Sequence, residues 1–354
     1  MILVLLNTHC APTGKQFGII FNANLDGNQD LYRTSNQNFQ SIERLTFTPV
    51  DSEQDLKITK HGERVLFSVL GKNLGWNTYI MDLKTESTTE LSDPALGLRS
   101  IKPLALSFDE KQAVLLETQT GKTYTVRLDQ RSVKELEIPF TFDFSTITDI
   151  DYSHDGKQLV YTEYHNPTPP LSTKSSFVYD FETKLVIPLV DNDTATCDQP
   201  KWSPNEKRVL LYCDLSTDGI SENNHIYILD VVGSDPVTIK EIADLPCGRS
   251  PGAKFAWSPS GTQFVAAYCK MNDAPKSLYV FNSDGSVNGG FLLLGTPALY
   301  ISEMVWSPDG QKILYIAGRN ENSLNIYMTN SDGSDNYVIT TQPSNYSELS
   351  VYSP

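Results

Sequence analysis

Basic clusters, histidine and helical periodicity are what this chain lacks. Its 28 Lys and Arg stand against 43 Asp and Glu, for a formal charge of −15. Binding along a nucleic-acid backbone needs Lys and Arg to neutralise phosphates. No basic run exists here, and a nucleic-acid partner is therefore not expected. The acidic balance reads as a solvated surface, or as a rim that attracts a basic partner or divalent cations. No stretch repeats apolar residues at helical spacing, which removes the helical and α/β classes. No apolar run reaches the ~20 residues that cross a bilayer, and no low-complexity segment or Gly-x-Ser-x-Gly elbow occurs.

What is present is a repeated phrase. Trp306-Ser307-Pro308-Asp309-Gly310 precedes the apolar run Ile313-Leu314-Tyr315-Ile316. Trp257-Ser258-Pro259-Ser260-Gly261 and Trp202-Ser203-Pro204-Asn205 do the same before Phe264 and Val209, and Tyr152-Ser153-His154-Asp155-Gly156 before Leu159. Worn copies begin at Ser107 and Thr59, so the phrase starts at 59, 107, 153, 203, 258 and 307. Each period holds about four short strands, the content of one propeller blade. Pro and Gly in the phrase suit a tight reversal. A third strand built on an aromatic follows in each unit, as in Leu31-Tyr32, Tyr79-Ile80 and Tyr327-Met328. The spacing predicts an all-β chain, a seven-bladed β-propeller over 11–354, with six blades as the alternative because the copies at 59 and 107 are degenerate.

The two ends complete each other. Residues 348–354 are a first strand with nothing after it, whereas Phe17-Gly18-Ile19-Ile20-Phe21 begins a blade that lacks one. The C-terminal strand is expected beside 17–21, closing the ring and hiding its sheet edges.

The Ser307-Pro308-Asp309-Gly310-x-x-Ile313 pattern, with Asn24-x-Asp26-Gly27-x-x-Asp30-Leu31-Tyr32 and Asn330-Ser331-Asp332-Gly333, resembles the WD-like propeller repeat of the TolB family. The resemblance covers nearly all of the chain from about residue 11 and is specific for fold, not for function. TolB carries an α/β domain before its propeller, for which residues 1–10 leave no room; the expectation is a TolB-like propeller outside the Tol–Pal system. Seven-bladed oligogalacturonate lyases also resemble this repeat class and hold a metal through histidines and acids. His9, His61, His154, His165 and His225 do not line up with such a cluster, since His61 and His154 hold matching turn places in separate blades. Propellers of prolyl peptidases depend on an attached hydrolase, which is not seen here.

Five cysteines divide into two pairs and one. Cys197 with Cys213, and Cys247 with Cys269, hold the start of one strand and the end of the next, so two disulfides suit the geometry and an oxidising compartment; free thiols are the alternative. Cys10 follows the short apolar run Met1–Leu6, and residues 1–10 read as a truncated signal or lipoprotein segment with Cys10 as lipid anchor. Asn7, three residues before Cys10, and the missing basic segment depart from that pattern.

Few residues suggest chemistry. Asn22–Asp30 resembles a calcium loop, but Arg33 stands where a bidentate Glu is required, and the Asp-Gly phrase recurs as a hairpin turn at 284–285 and 332–333. The repeated tyrosines and Trp202, Trp257 and Trp306 read as packing between blades; Trp76, placed in a loop, is the candidate contact residue. No catalytic residue, metal ligand or cofactor is assigned. The expected binding loops are 22–30, 69–77, 163–175, 214–224, 270–276 and 317–324, with 164–175 and 214–224 as polar insertions. The balance of these features favours a monomeric, non-catalytic binding platform for a protein, peptide or glycan, periplasmic or at the cell surface. A polysaccharide-active lyase or hydrolase and a cytoplasmic scaffold are the alternatives.

Overall fold

The computed structural model describes residues 15–47, 53–58, 63–71, 75–92, 97–138, 146–168, 171–190, 196–205, 208–214, 224–231, 239–244, 254–268, 277–292, 300–320 and 322–353. Cys10, Cys247, Cys269, His9, His61 and the loop 270–276 lie outside them.

The described residues contain no helix and form seven four-stranded antiparallel sheets, the blades of a propeller. Blade one holds β1 (Gly18–Asn24), β2 (Gln29–Ser35) and β3 (Asn38–Arg44). Blade two is β4 (Glu53–Ile58), β5 (Arg64–Leu70), β6 (Trp76–Asp82) and β7 (Thr88–Glu90). Blade three is β8 (Ile101–Leu106), β9 (Gln112–Glu117), β10 (Thr123–Arg127) and β11 (Ser132–Glu135). Blade four is β12 (Thr146–Tyr152), β13 (Gln158–Thr168), β14 (Leu171–Asp180) and β15 (Val186–Pro188). Blade five is β16 (Thr196–Trp202), β17 (Arg208–Asp214), β18 (Asn224–Asp230) and β19 (Ile239–Asp244). Blade six is β20 (Phe255–Trp257), β21 (Gln263–Tyr268), β22 (Ser277–Asn282) and β23 (Val287–Leu292). Blade seven is β24 (Tyr300–Trp306), β25 (Lys312–Gly318), β26 (Leu324–Asn330) and β27 (Tyr337–Val338).

The last strand, β28 (Tyr346–Tyr352), pairs with β1 and supplies the inner strand of blade one, as the sequence implies. Gly18 lies opposite Tyr352, and a Cβ at Gly18 would fall 2.1 Å from the Tyr352 ring. Only glycine allows that approach.

The core is distributed along the seams between blades. Seven hydrophobic clusters occur among the described residues, and each spans two neighbouring blades. Alternation explains this, because successive side chains on a strand point to opposite faces. In β1, Ile19 and Phe21 pack into the seam with blade seven, while Ile20 packs into the seam with blade two; all three are fully buried. Each such side chain contributes about 1.5–3 kcal/mol of transfer free energy.

The repeated serine turns follow the inner strands. The Ser307 hydroxyl donates to Asp309 Oδ1 at 2.6 Å and accepts the Lys312 N–H at 2.9 Å. Ser107 and Ser153 make the same pair of bonds with Asp109 and Gln112 and with Asp155 and Gln158. These serines are buried and doubly engaged, which makes them turn hubs. Gly310, at φ 71, takes the left-handed position that closes the turn.

One sequence reading needs correction here. The polar insertion 164–175 is a hairpin: β13 and β14 pair through His165 opposite Thr173 and Thr168 opposite Leu171. Pro167 falls at the register shift between His165 and Thr168, where the ladder asks for no N–H. The serine turns of adjacent blades touch. Phe108 and His154 have ring centroids 3.4 Å apart, and Asn205 Nδ2 donates to the Gly261 carbonyl at 3.1 Å.

Candidate functional site

Six of the seven inner strands carry a register shift against the next strand: β4, β8, β12, β16, β24 and β28. A bulge breaks strict alternation and re-aims side chains. Gln199 and Glu348 sit within two of these shifts at φ 56 and 52, a conformation that costs a residue with a Cβ free energy. All seven inner strands, including Lys254 immediately before β20, line a central channel of about 700 Å³.

Repeat register sorts its charged lining into levels. Two residues before the turn serine, or before Thr59, stand Lys57, Asp151 and Lys201; Ala105, Ala256, Val305 and Val351 hold the same place in the other blades. Two residues earlier stand Asp149, Lys254 and Glu303, with Asp198 and Glu348 one residue beyond that. Lys174, on the long hairpin of blade four, reaches across the seam and donates to Asp198 Oδ2. Asp198 is 8% exposed, and its Oδ1 has no hydrogen-bond partner among the described residues.

Burial pushes the Asp151 carboxyl above the usual carboxylate range, against the Lys201 charge, the Trp202 N–H that donates to it at 2.9 Å, and Lys57. Asp198 is raised by burial as well; Lys174 opposes the shift and the Asp149 charge adds to it. The channel thus holds lysines beside carboxylates that burial makes reluctant to ionise.

The residues singled out by sequence fare differently. Cys197 and Cys213 face one another across β16 and β17 and form a disulfide, both buried. Trp76 is not a loop residue: it opens β6, its backbone N–H donates to the Ser100 hydroxyl oxygen (3.1 Å), and its ring lies under the Lys102 ammonium, 3.6 Å from the ring centroid. The pairing ties Trp76 to blade three. His225 is buried against Tyr227, with centroids 6.1 Å apart. Asn24 and Gln29 close a hairpin around the suspected calcium loop, and Asp26 there meets Arg44 at 3.5 Å. Among the described residues, no group of three or more His, Cys, Asp and Glu is placed to hold a metal ion. Sequence reasoning missed the channel lysines and acids, although aligning the repeats on the turn serine brings Lys57, Asp151 and Lys201 into one register.

No protein-family model matches the chain. The uncharacterized peptidase YuxL of Bacillus subtilis (strain 168) is 25% identical over 121 residues, 34% of this chain and 17% of that protein. The chain thus spans about a sixth of the curated relative's length. TolB from Acinetobacter baumannii overlays with a TM-score of 0.51 at 16% identity, over 77% of this chain and 62% of its own. An oligogalacturonate lyase in complex with manganese gives 0.63 at 14% identity, over 92% and 85% of the two chains. The propeller domain of the Trilobed protease from Pyrococcus furiosus gives 0.61 at 16%, over 94% and 96%. What the three solved structures share with this chain is the propeller fold.

Proposed function

We propose that this chain is a non-catalytic, TolB-like binding propeller whose ligand, a peptide, protein segment or glycan, is held in the central channel. The observation that carries the reading is the convergence of seven inner strands on a cavity lined by lysines and carboxylates, Asp198 among them buried, the kind of concave site with convergent polar groups that ligands use. Its net charge of −15 agrees with a partner other than nucleic acid. Work in the bacterial envelope, as a monomer, is part of the proposal; the Cys197–Cys213 disulfide supports it, since such bonds persist in oxidising compartments. Lipid attachment at Cys10 belongs to the same proposal, and intact mass of the membrane fraction tests it.

The test of the binding reading is a thermal-shift and calorimetry panel of short peptides and uronate oligosaccharides, run beside an assay for unsaturated or hydrolysed products. Saturable binding without product formation supports it. Turnover of a uronate oligosaccharide or a peptide would overturn it in favour of a polysaccharide- or peptide-active enzyme.

A further inference from the structure

The channel is electrically polarised along its axis. At the level two residues before the turn serines, Lys57 and Lys201 face a single carboxylate, Asp151. Among the described residues neither lysine has a carboxylate within 4.0 Å, and both act on Asp151 through space. Of the apolar residues at that level, Ala105 lines the channel, whereas Ala256, Val305 and Val351 pack into the seams between blades. Toward the long hairpin the sign reverses. Asp149, Glu303, Asp198 and Glu348 stand there against Lys254 and Lys174, and Lys174 is taken by Asp198 Oδ2. Asp198 Oδ1, buried and without a partner among the described residues, is a ready acceptor at that end.

In β12 the two levels, at Asp149 and Asp151, are two residues apart, about 6.6–6.8 Å, and in β16 Asp198 lies three residues before Lys201 across a register shift. A free α-amino acid places its charges too close together to meet both. An extended dipeptide spans about 7 Å between its ends, and a small apolar side chain would lie against Ala105. Resting on the binding reading above, we infer that the channel takes a free dipeptide as a zwitterion, its carboxylate toward Lys57 and Lys201 and its ammonium toward Asp149, Asp198 and Glu303.

Calorimetry on the full chain with L-alanyl-L-alanine, its C-terminal amide and its N-acetyl form tests this without altering the protein. The free dipeptide binds, and blocking either end weakens binding at least tenfold. In a Lys57→Met, Lys201→Met variant, which keeps the aliphatic stems, the free acid and the amide converge to within twofold, while the N-acetyl penalty persists. An amide that binds as well as the acid overturns the polarity, yet leaves channel binding intact. Failure of all three alanyl peptides, with a uronate oligosaccharide or longer peptide bound instead, overturns the dipeptide assignment alone. Failure of every ligand in both panels overturns the channel as a binding site and the dipeptide with it.

Discussion

The indole N–H of Trp306 donates to the carbonyl of Ala256, in the preceding blade, at 3.0 Å. Trp257 repeats the contact one blade earlier, reaching the Lys201 carbonyl at 3.1 Å. Each bond links the residue two places before one turn serine to the tryptophan immediately before the next, so the tryptophans stitch neighbouring inner strands together. The series stops at Trp202, whose Nε1 is buried and has no partner among the described residues.

That difference predicts opposite outcomes for the same substitution. Trp306→Phe leaves the Ala256 carbonyl without its donor and is expected to cost about 1–3 kcal/mol. Trp202→Phe removes an unsatisfied buried donor, so the loss there is expected to be smaller than at Trp306. Urea denaturation of the two variants checks this; equal losses would mean that ring volume alone matters.

Asp30 is fully buried, paired with Arg44 and bonded by the Thr46 hydroxyl at 3.2 Å. Removing one partner of a buried pair leaves an uncompensated charge, at about 3–5 kcal/mol. Arg44 is itself a quarter exposed, so Arg44→Ala is expected near the lower end of that range, with Asp30→Asn less costly because its carbonyl still accepts from Thr46. Chemical denaturation of both variants measures the order, and Asp30→Asn as the more damaging change would refute it.

The Cys197–Cys213 disulfide closes a separation of 16 residues. A loop near that size is worth about 3 kcal/mol by chain entropy. The expected results are a lower denaturation midpoint in reductant and, under denaturing non-reducing conditions, three free thiols of the five cysteines, or one if Cys247 and Cys269 also pair. Five free thiols would show that the bond does not form.

Asp151 sets a pH dependence. Because burial raises its folded pKa above the ordinary value of 3.8, its contribution to stability is fully present below that value. It is lost as pH rises through the raised folded pKa. Asp151→Asn cannot ionise and still accepts from the Trp202 N–H, so it should gain on the wild type as pH rises from below about 3.8 to neutrality. Thermal denaturation at both ends of that interval reads the effect; a gap that does not change with pH would show that Asp151 titrates normally.

The fold was legible because its signals are local. A serine turn followed by a β-branched run recurs once per blade, and Ile19, Ile20 and Phe21, buried in succession, announce a strand covered on both faces. The mate of that strand could be found because Tyr346–Tyr352 had no blade of its own. The site was harder to see. Lys57, Asp151 and Lys201 become neighbours only around the ring, and the same place elsewhere holds Ala105 or Val305. Lys174 reaches Asp198 only because β14 extends to Leu171, which Pro167, Pro169 and Pro170 disguise as loop. Gly75 and Asn77 disguise the start of β6 in the same way, which is why Trp76 was placed in a loop.

The pairing of β28 with β1 also governs how the protein comes into being. Gly18–Asn24 leaves the ribosome well before its partner Tyr346–Tyr352. During translation the first blade must wait with one side of β1 unpaired, and contacts so distant in sequence are slow to form. A chain stopped short of Tyr346 would keep that apolar edge exposed and recruit another copy's strand in place of its own. Synthesis as far as Tyr352 is thereby a condition for a closed ring.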